Sequence, residues 1–283
     1  MRITLSVSFI LFAGAVACAF DATAAAGDAD PSFGGAGYVR YAAPKTVAGL
    51  FSAILAQDDG SVIAAGSADT EVFVRHYRVD GSLDESFGTF GTTIVPGFVG
   101  GGRTTTNLRL FRSAGGAILI EQSGKIRRLS ATGAFDAGYT PATLKVDGRT
   151  GVYNLLPQAD GRFVVVTGQQ AATQTVQISV RFFLPDGTPD TARGGAFGER
   201  LLYPGGEGTY TDHPLSAVND ASGRILIAAR WDRNPNDISL VLIRLNADGT
   251  YDATFGQSGV VLIGSHNNQP TNCATLRPGW RGG

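Results

Sequence analysis

The chain has 283 residues, a formal net charge of −1, only 17% charged residues and 39 glycines. That composition offers no basic field for nucleic acid or for an anionic membrane, since both need clustered Lys and Arg. It points instead to a turn-rich protein of low charge, long enough to bury a substantial core.

Residues 1–26 read as a secretion signal. Arg2 is the positive start, Ile3 to Ala17 is an apolar core too short to cross a bilayer, and Ala24-Ala25-Ala26 is a small-residue cleavage site. The mature chain then begins at Gly27, carries no transmembrane segment, and is secreted or periplasmic. A second reading takes Ala15-Val16-Ala17-Cys18 as a lipoprotein signal that anchors the chain through an acylated Cys18, although Ala15 stands where a branched aliphatic residue is usual. In both readings Cys273 has no internal partner, so stability has to come from packed strands rather than disulfides.

From Gly27 onward one stretch returns five times. Its fullest copy is Asp80-Gly81-Ser82-Leu83-Asp84-Glu85-Ser86-Phe87-Gly88. The turn glycine is followed three residues on by Asp and three further on by an aromatic: Gly27, Asp30, Phe33; Gly81, Asp84, Phe87; Gly133, Asp136, Tyr139; Gly249, Asp252, Phe255. In the fourth copy Gly187 and Asp190 keep the spacing, but the aromatic, Phe197, comes four residues late, after Ala192-Arg193-Gly194-Gly195. The glycines lie 54, 52, 54 and 62 residues apart, a period that belongs to a solenoid, a propeller or an array. The motif has the chemistry of a corner. Asp-Gly supplies a side chain that bonds its own backbone and a residue that accepts positive φ; the second Asp caps the next turn; the aromatic plugs the junction between units. Paired aspartates also suggest calcium, but a calcium loop needs oxygens at alternate positions and a closing Glu, which no copy has.

Each unit repeats one internal order. A short strand follows the aromatic: Tyr38–Tyr41, Thr92–Val95, Thr143–Val146, Arg200–Tyr203 and Val260–Ile263. A hairpin comes next, with turns at Gln57–Gly60, Ser113–Gly116, Gln158–Gly161 and Asp220–Gly223. Its second arm is a continuous apolar run, Val62–Ala65, Ala117–Ile120, Phe163–Val166 and Ile225–Ala228, which suits a strand buried on both faces. A fourth strand, Val72–Tyr77, Ile126–Leu129, Ile178–Phe183 or Leu240–Leu245, leads into the next corner. No stretch sustains a 3.6-residue apolar period, so almost no helix is expected. The fold class is all-β, a β-propeller-like array of four-stranded antiparallel blades, with four complete repeats and an incomplete fifth.

These residues carry a resemblance. Asp30-Pro31-Ser32-Phe33-Gly34, Gln57-Asp58-Asp59-Gly60, Ile63-Ala64-Ala65-Gly66 and Asp80–Gly88 resemble the delta-60 repeat family of bacterial secreted and surface proteins. The likeness runs to about residue 264. It weakens in the middle units, where Thr132 replaces the turn Asp and Tyr139-Thr140 replaces Phe-Gly. What it implies is a propeller-type β fold; it brings no catalytic signature. Residues 265–283 read as an incomplete fifth repeat or an irregular tail. Either the last strand closes a ring against the first blade, or the repeat is cut short. The second is preferred, because a fifth first strand would compete with Tyr38–Tyr41.

No site chemistry stands out. His76, His213 and His266 fall in different contexts without metal-ligand spacing, and neither a nucleophile elbow nor a phosphate-cradling loop is present. Gly100–Gly102 and Gly205-Gly206 read as loop glycines. The equivalent fourth-strand position holds His76, Arg128, Phe182 and Arg244, a variation that suits a rim or groove. The stretch Arg230-Trp231-Asp232-Arg233, read as a loop running to Asp237, has the composition of a contact site, unless Trp231 simply packs between blades. The expected function is therefore a non-catalytic binding or scaffold module for a protein or glycan outside the cytoplasm, without cofactor or metal. The alternative is a secreted glycosidase-like hydrolase, its two carboxyls about 5 to 9.5 Å apart and drawn from Asp69, Glu71, Glu121, Asp147, Glu207 and Asp212.

Overall fold

Valine, isoleucine and leucine runs set between glycine turns become strands here because each run can bury both of its faces. The computed structural model describes residues 28–40, 49–68, 70–98, 107–140, 153–170, 176–202, 211–234 and 237–266. The first sheet is formed by β1 (Gly49–Ala56), β2 (Val62–Ala68), β3 (Glu71–Tyr77) and β4 (Thr92–Ile94). The second has three strands among the described residues: β5 (Leu108–Arg112), β6 (Ile118–Gln122) and β7 (Lys125–Leu129). The third holds β8 (Tyr153–Pro157), β9 (Phe163–Gln170), β10 (Val176–Phe183) and β11 (Glu199–Leu202). The fourth holds β12 (Thr211–Asn219), β13 (Ile225–Asn234), β14 (Asp237–Leu245) and β15 (Val260–His266). Each sheet is an antiparallel meander with its strands in chain order. The single α-helix among the described residues, α1, is four residues long, Thr191–Gly194, and sits in the insertion of the fourth motif copy.

The sheets stack in series, and the second strands show how. Ile118 and Ile120 of β6 join a core with Ile63, Val72 and Val74 of the first sheet, while Leu119 between them turns to Leu155, Phe163 and Val165 of the third. On β9, Val164 and Val166 repeat the trick toward Ile225, Ile227 and Val241 of the fourth sheet. One continuous apolar run thus serves two neighbours, and all of these side chains are at most 4% exposed. The first strands contact one another in succession, β1 with β5, β5 with β8 and β8 with β12, as blades meet around a common axis. The protein is an all-β, propeller-like array of antiparallel blades.

The structure corrects the phase of the repeat. The short strand after the aromatic does not open its own unit. It closes the sheet before it: β4 pairs with β3, β11 with β10 and β15 with β14, all antiparallel. The corner motif is a turn that sends the chain back beside the strand it has just left, as the bridge between Tyr77 and Leu83 shows. β15 consequently completes the fourth sheet rather than starting a fifth, and it runs to His266, past the boundary expected at 264. Tyr38–Arg40 form no strand, and Tyr41, Thr143–Val146, the signal segment, Gly27, both cysteines, Gly100–Gly102, Gly205-Gly206 and residues 267–283 lie outside the described residues.

Candidate functional site

The corner motif consumes its own polar groups. The first Asp of each turn accepts the backbone N–H and the hydroxyl of the residue two ahead: Asp80 from Ser82 at 2.9 and 2.7 Å, Asp186 from Thr188 at 2.9 and 2.6 Å, Asp248 from Thr250 at 2.9 and 2.6 Å. The second Asp, three residues past the turn glycine, does the same: Asp84 with Ser86, Asp252 with Thr254, and Asp30 with Ser32. In the copy where Gly138 replaces the hydroxyl residue, Asp136 keeps only the N–H bond, at 3.0 Å. These bonds stabilise the ionised carboxylates, so Asp30, Asp80, Asp84, Asp186, Asp248 and Asp252 are all held below the usual carboxylate range, the Ser or Thr hydroxyl being the main cause.

The aromatic is a plug into the next sheet. Phe87 is 1% exposed and covers Gly133, where a Cβ would lie 2.7 Å from its ring. Beside it the Gly88 N–H donates to the Thr132 carbonyl across the joint at 2.8 Å. Tyr139 covers Gly187 in the same way, with Thr140 N–H donating to the Asp186 carbonyl at 2.6 Å. The first copy keeps the backbone bond, Gly34 N–H to the Asp80 carbonyl at 2.8 Å, with Phe33 half-buried. Phe255 of the last copy is also half-buried, with the Arg244 guanidinium 4.4 Å above its ring.

Phe197 is not a plug. It is 82% exposed, because the insertion folds into α1 and a 3₁₀ turn that carry it outward. Phe182 of β10 fills the junction instead: it is 1% exposed and lies where a Cβ on Gly249 would be 2.6 Å away.

The same unit explains the fourth-strand position. His76, Arg128 and Arg244 each reach their own corner Asp. His76 Nδ1 is 2.9 Å from Asp84 Oδ2, Arg128 Nε is 3.5 Å from Asp136 Oδ2, and Arg244 Nε is 2.7 Å from Asp252 Oδ2. Where Phe182 takes the plug's place, the cation for Asp190 comes from elsewhere, Arg193 of α1 at 3.5 Å and Arg162 of the hairpin turn at 3.4 Å. Plug and cation have exchanged their origins, and the joint keeps both.

Arg230, Trp231, Asp232 and Arg233 are strand residues rather than a loop, because β13 and β14 extend their pairing as far as Asn234 and Asp237. Trp231 is partly buried and packs against the core shared by the third and fourth sheets. The side chains of Asp232 and Arg233, like those of Asp212, His213 and His266, are outside the described set. Of the candidate acids, Glu71 is exposed on β3 and Glu121 is buried on β6, one sheet away; Asp69, Asp147 and Glu207 lie outside the described residues. Burial pushes Glu121 up, against the Gly124 N–H and Arg109 that favour its charge.

Two features were invisible in the sequence. The first is a chain of polar groups in the first sheet: Asp84, His76, then Ser61, whose Oγ is 2.9 Å from His76 Nε2 and donates to Asp59 at 2.7 Å. No spacing motif links positions 61, 76 and 84; the β2–β3 pairing and the corner bring them together. The second is a groove at the joint of the first and second sheets, about 560 Å³, lined by Gly88, Thr89, Thr92, Thr93, Ile94, Gly133, Ala134 and Phe135. A smaller one, about 320 Å³, recurs at the joint of the third and fourth, between Arg200–Leu202 and Gly249–Tyr251. Both combine the closing strand of one sheet with the turn of the next, and each has an aromatic two residues past the turn glycine, Phe135 or Tyr251.

Residues 57–87 and 221–255 match a family described as a domain of unknown function (DUF5122), beta-propeller. Each matched stretch starts in a hairpin turn and ends on the motif aromatic, Phe87 or Phe255, of the first and fourth sheets. No curated protein matches the chain. Among solved structures it is similar to an engineered GH43 glycoside hydrolase with endo-xylanase and exo-arabinofuranosidase activity, at 13% identity over 79% of this chain and 44% of that one, TM-score 0.35. It is also similar to a catalytically inactive virginiamycin B lyase from Staphylococcus aureus, at 11% identity over 78% and 71%, TM-score 0.35, and to a hypothetical protein from Leishmania major, at 10% identity over 76% and 67%, TM-score 0.31. The chain thus spans less than half the length of the first of these.

Proposed function

We propose that the chain is a non-catalytic binding module acting outside the cytoplasm, and that the grooves at the sheet joints hold its ligand. The observation that carries this reading is the division of labour at the joint. The motif carboxylates are occupied by their own turns and by cations, whereas the groove beside them presents Thr89 and Thr92 with Ile94 and Phe135, the buried Thr93 hydroxyl being held by the Gly133 carbonyl. Hydroxyls beside an aromatic that is 40% exposed suit a sugar ring better than an extended peptide, so a glycan is the preferred ligand over a protein. The test is a glycan array probed with the chain from Gly27 to Gly283, followed by calorimetry with Phe135→Ala. Saccharide binding that weakens in the variant, with no product released, supports the reading; release of a shortened saccharide contradicts it.

A serine hydrolase, different from the two-carboxyl glycosidase expected as the alternative, is the second reading, favoured by the Ser61–His76–Asp84 chain, whose contacts have the reach of a nucleophile, a base and an orienting acid. Ser61 is 4% exposed, and both its hydroxyl and its N–H point to Asp59. A fluorophosphonate probe that labels Ser61 would establish this second reading; an unlabelled Ser61 would remove it.

A further inference from the structure

We propose that His76 makes the joint between the first and second sheets sensitive to pH, holding it as an imidazolium and loosening it as a neutral ring. The proposal does not depend on any ligand in the groove. It starts from a comparison of the four corners. In the third and fourth units the hairpin turn itself supplies a guanidinium to the corner Asp, Arg162 to Asp190 at 3.4 Å and Arg224 to Asp252 at 3.7 Å. The second unit uses Arg128. In the first unit the residue equivalent to Arg162 and Arg224 is Ser61, too short to reach, and His76 spans the gap between it and Asp84. At this position a permanently charged guanidinium has given way to an imidazole, a group that can exist charged or neutral.

Donor counting shows which form fits. Ser61 Oγ lies 2.7 Å from Asp59 Oδ1, and an ionised carboxylate can only accept, so the serine hydrogen belongs there. The Ser61 oxygen must then accept from His76 Nε2, and Asp84 Oδ2 must accept from His76 Nδ1. Both ring nitrogens therefore need a proton. A ring protonated on Nδ1 alone draws the serine hydrogen away from Asp59; one protonated on Nε2 alone turns a lone pair toward Asp84. The charged groups that meet this ring are Asp84, Asp59 through Ser61, and Arg78, which holds the other Asp84 oxygen at 3.0 Å.

The consequence reaches the joint because His76 lies against the plug, 5.7 Å from the Phe87 ring, and Gly88 next in the chain makes the backbone bond to Thr132. Amide exchange on the full chain reads that bond directly. The Thr140 amide, in a joint pinned by Arg128, serves as the internal control. The expected result is an about tenfold loss of protection at Gly88 relative to Thr140 between pH 5.5 and 8, from the loss of one charge-assisted hydrogen bond. His76→Arg should abolish that loss, and His76→Gln, neutral throughout, should show low protection at both pH values. Gly88 and Thr140 changing together in the unmodified chain, or the loss persisting in either variant, would overturn the proposal.

Discussion

Phe87 and Gly133 meet face to face across the first joint, so close that the glycine has no room for a side chain: its Cβ would stand 2.7 Å from the ring. The two residues belong to successive copies of one motif. Phe87 thus passes from one copy into the turn of the next, as Tyr139 does over Gly187.

Two glycine variants separate the plug from the backbone. Gly133 has φ 80 and Gly115 has φ 68, so alanine strains both by about 1 kcal/mol. A Cβ on Gly115 meets nothing within 4 Å. Gly133→Ala is therefore expected to cost about 1–3 kcal/mol more than Gly115→Ala, measured by urea unfolding.

In the third unit the two aromatics should behave oppositely. Phe182→Ala removes a ring that is 1% exposed and is expected to cost about 3–5 kcal/mol. Phe197→Ala should change stability by no more than about 0.5 kcal/mol, since that ring is 82% exposed. Equal effects in thermal melts would mean that the plug has been assigned to the wrong residue.

How much of this was legible beforehand follows from the same unit. The period, the turns and the apolar second strands could be read directly, because glycine and runs of Val, Ile and Leu have few other uses. The phase could not: a repeat looks the same wherever it is cut, and only the pairing of β4 with β3 shows that the short strand ends a sheet. Phe197 drew attention by sitting at the end of the motif, while Phe182 looked like one more strand residue. The row His76, Arg128, Phe182, Arg244 was visible, but its partners were not, because the corner brings Asp84 to His76 in space rather than in any local pattern. The Trp231 stretch, read as a loop, is strand, because β13 runs to Asn234.

Acid should weaken the corners. Their carboxylates have depressed folded-state values, so the stability they add is present above the ordinary Asp value near 3.8 and is lost as pH falls through the folded values. Unfolding curves are expected to hold steady from about pH 5 upward as far as the carboxylates are concerned, then to fall below about pH 4. Asp84→Asn should show a shallower fall, at lower stability.

Glu121 has the opposite sign. Burial raises its folded value above 4.5, so its ionisation costs stability as pH rises through that value. Glu121→Gln keeps an acceptor for the Gly124 N–H and removes the buried charge. It should be at least as stable as the unmodified chain at pH 7 and should lose the gain seen on mild acidification. A loss above about 2 kcal/mol at pH 7 would show instead that the Arg109 ion pair outweighs the burial.

The most direct test of the motif as a joint is a double-mutant cycle on Phe87 and Gly133. Phe87→Ala opens space against the turn, and Gly133→Ala alone forces a methyl into the ring. If the two residues form one joint, Gly133→Ala costs less once the ring is gone, and the cycle shows a coupling of about 1 kcal/mol or more. Costs that add within about 0.3 kcal/mol would contradict the account, and the repeat would then be a row of independent turns.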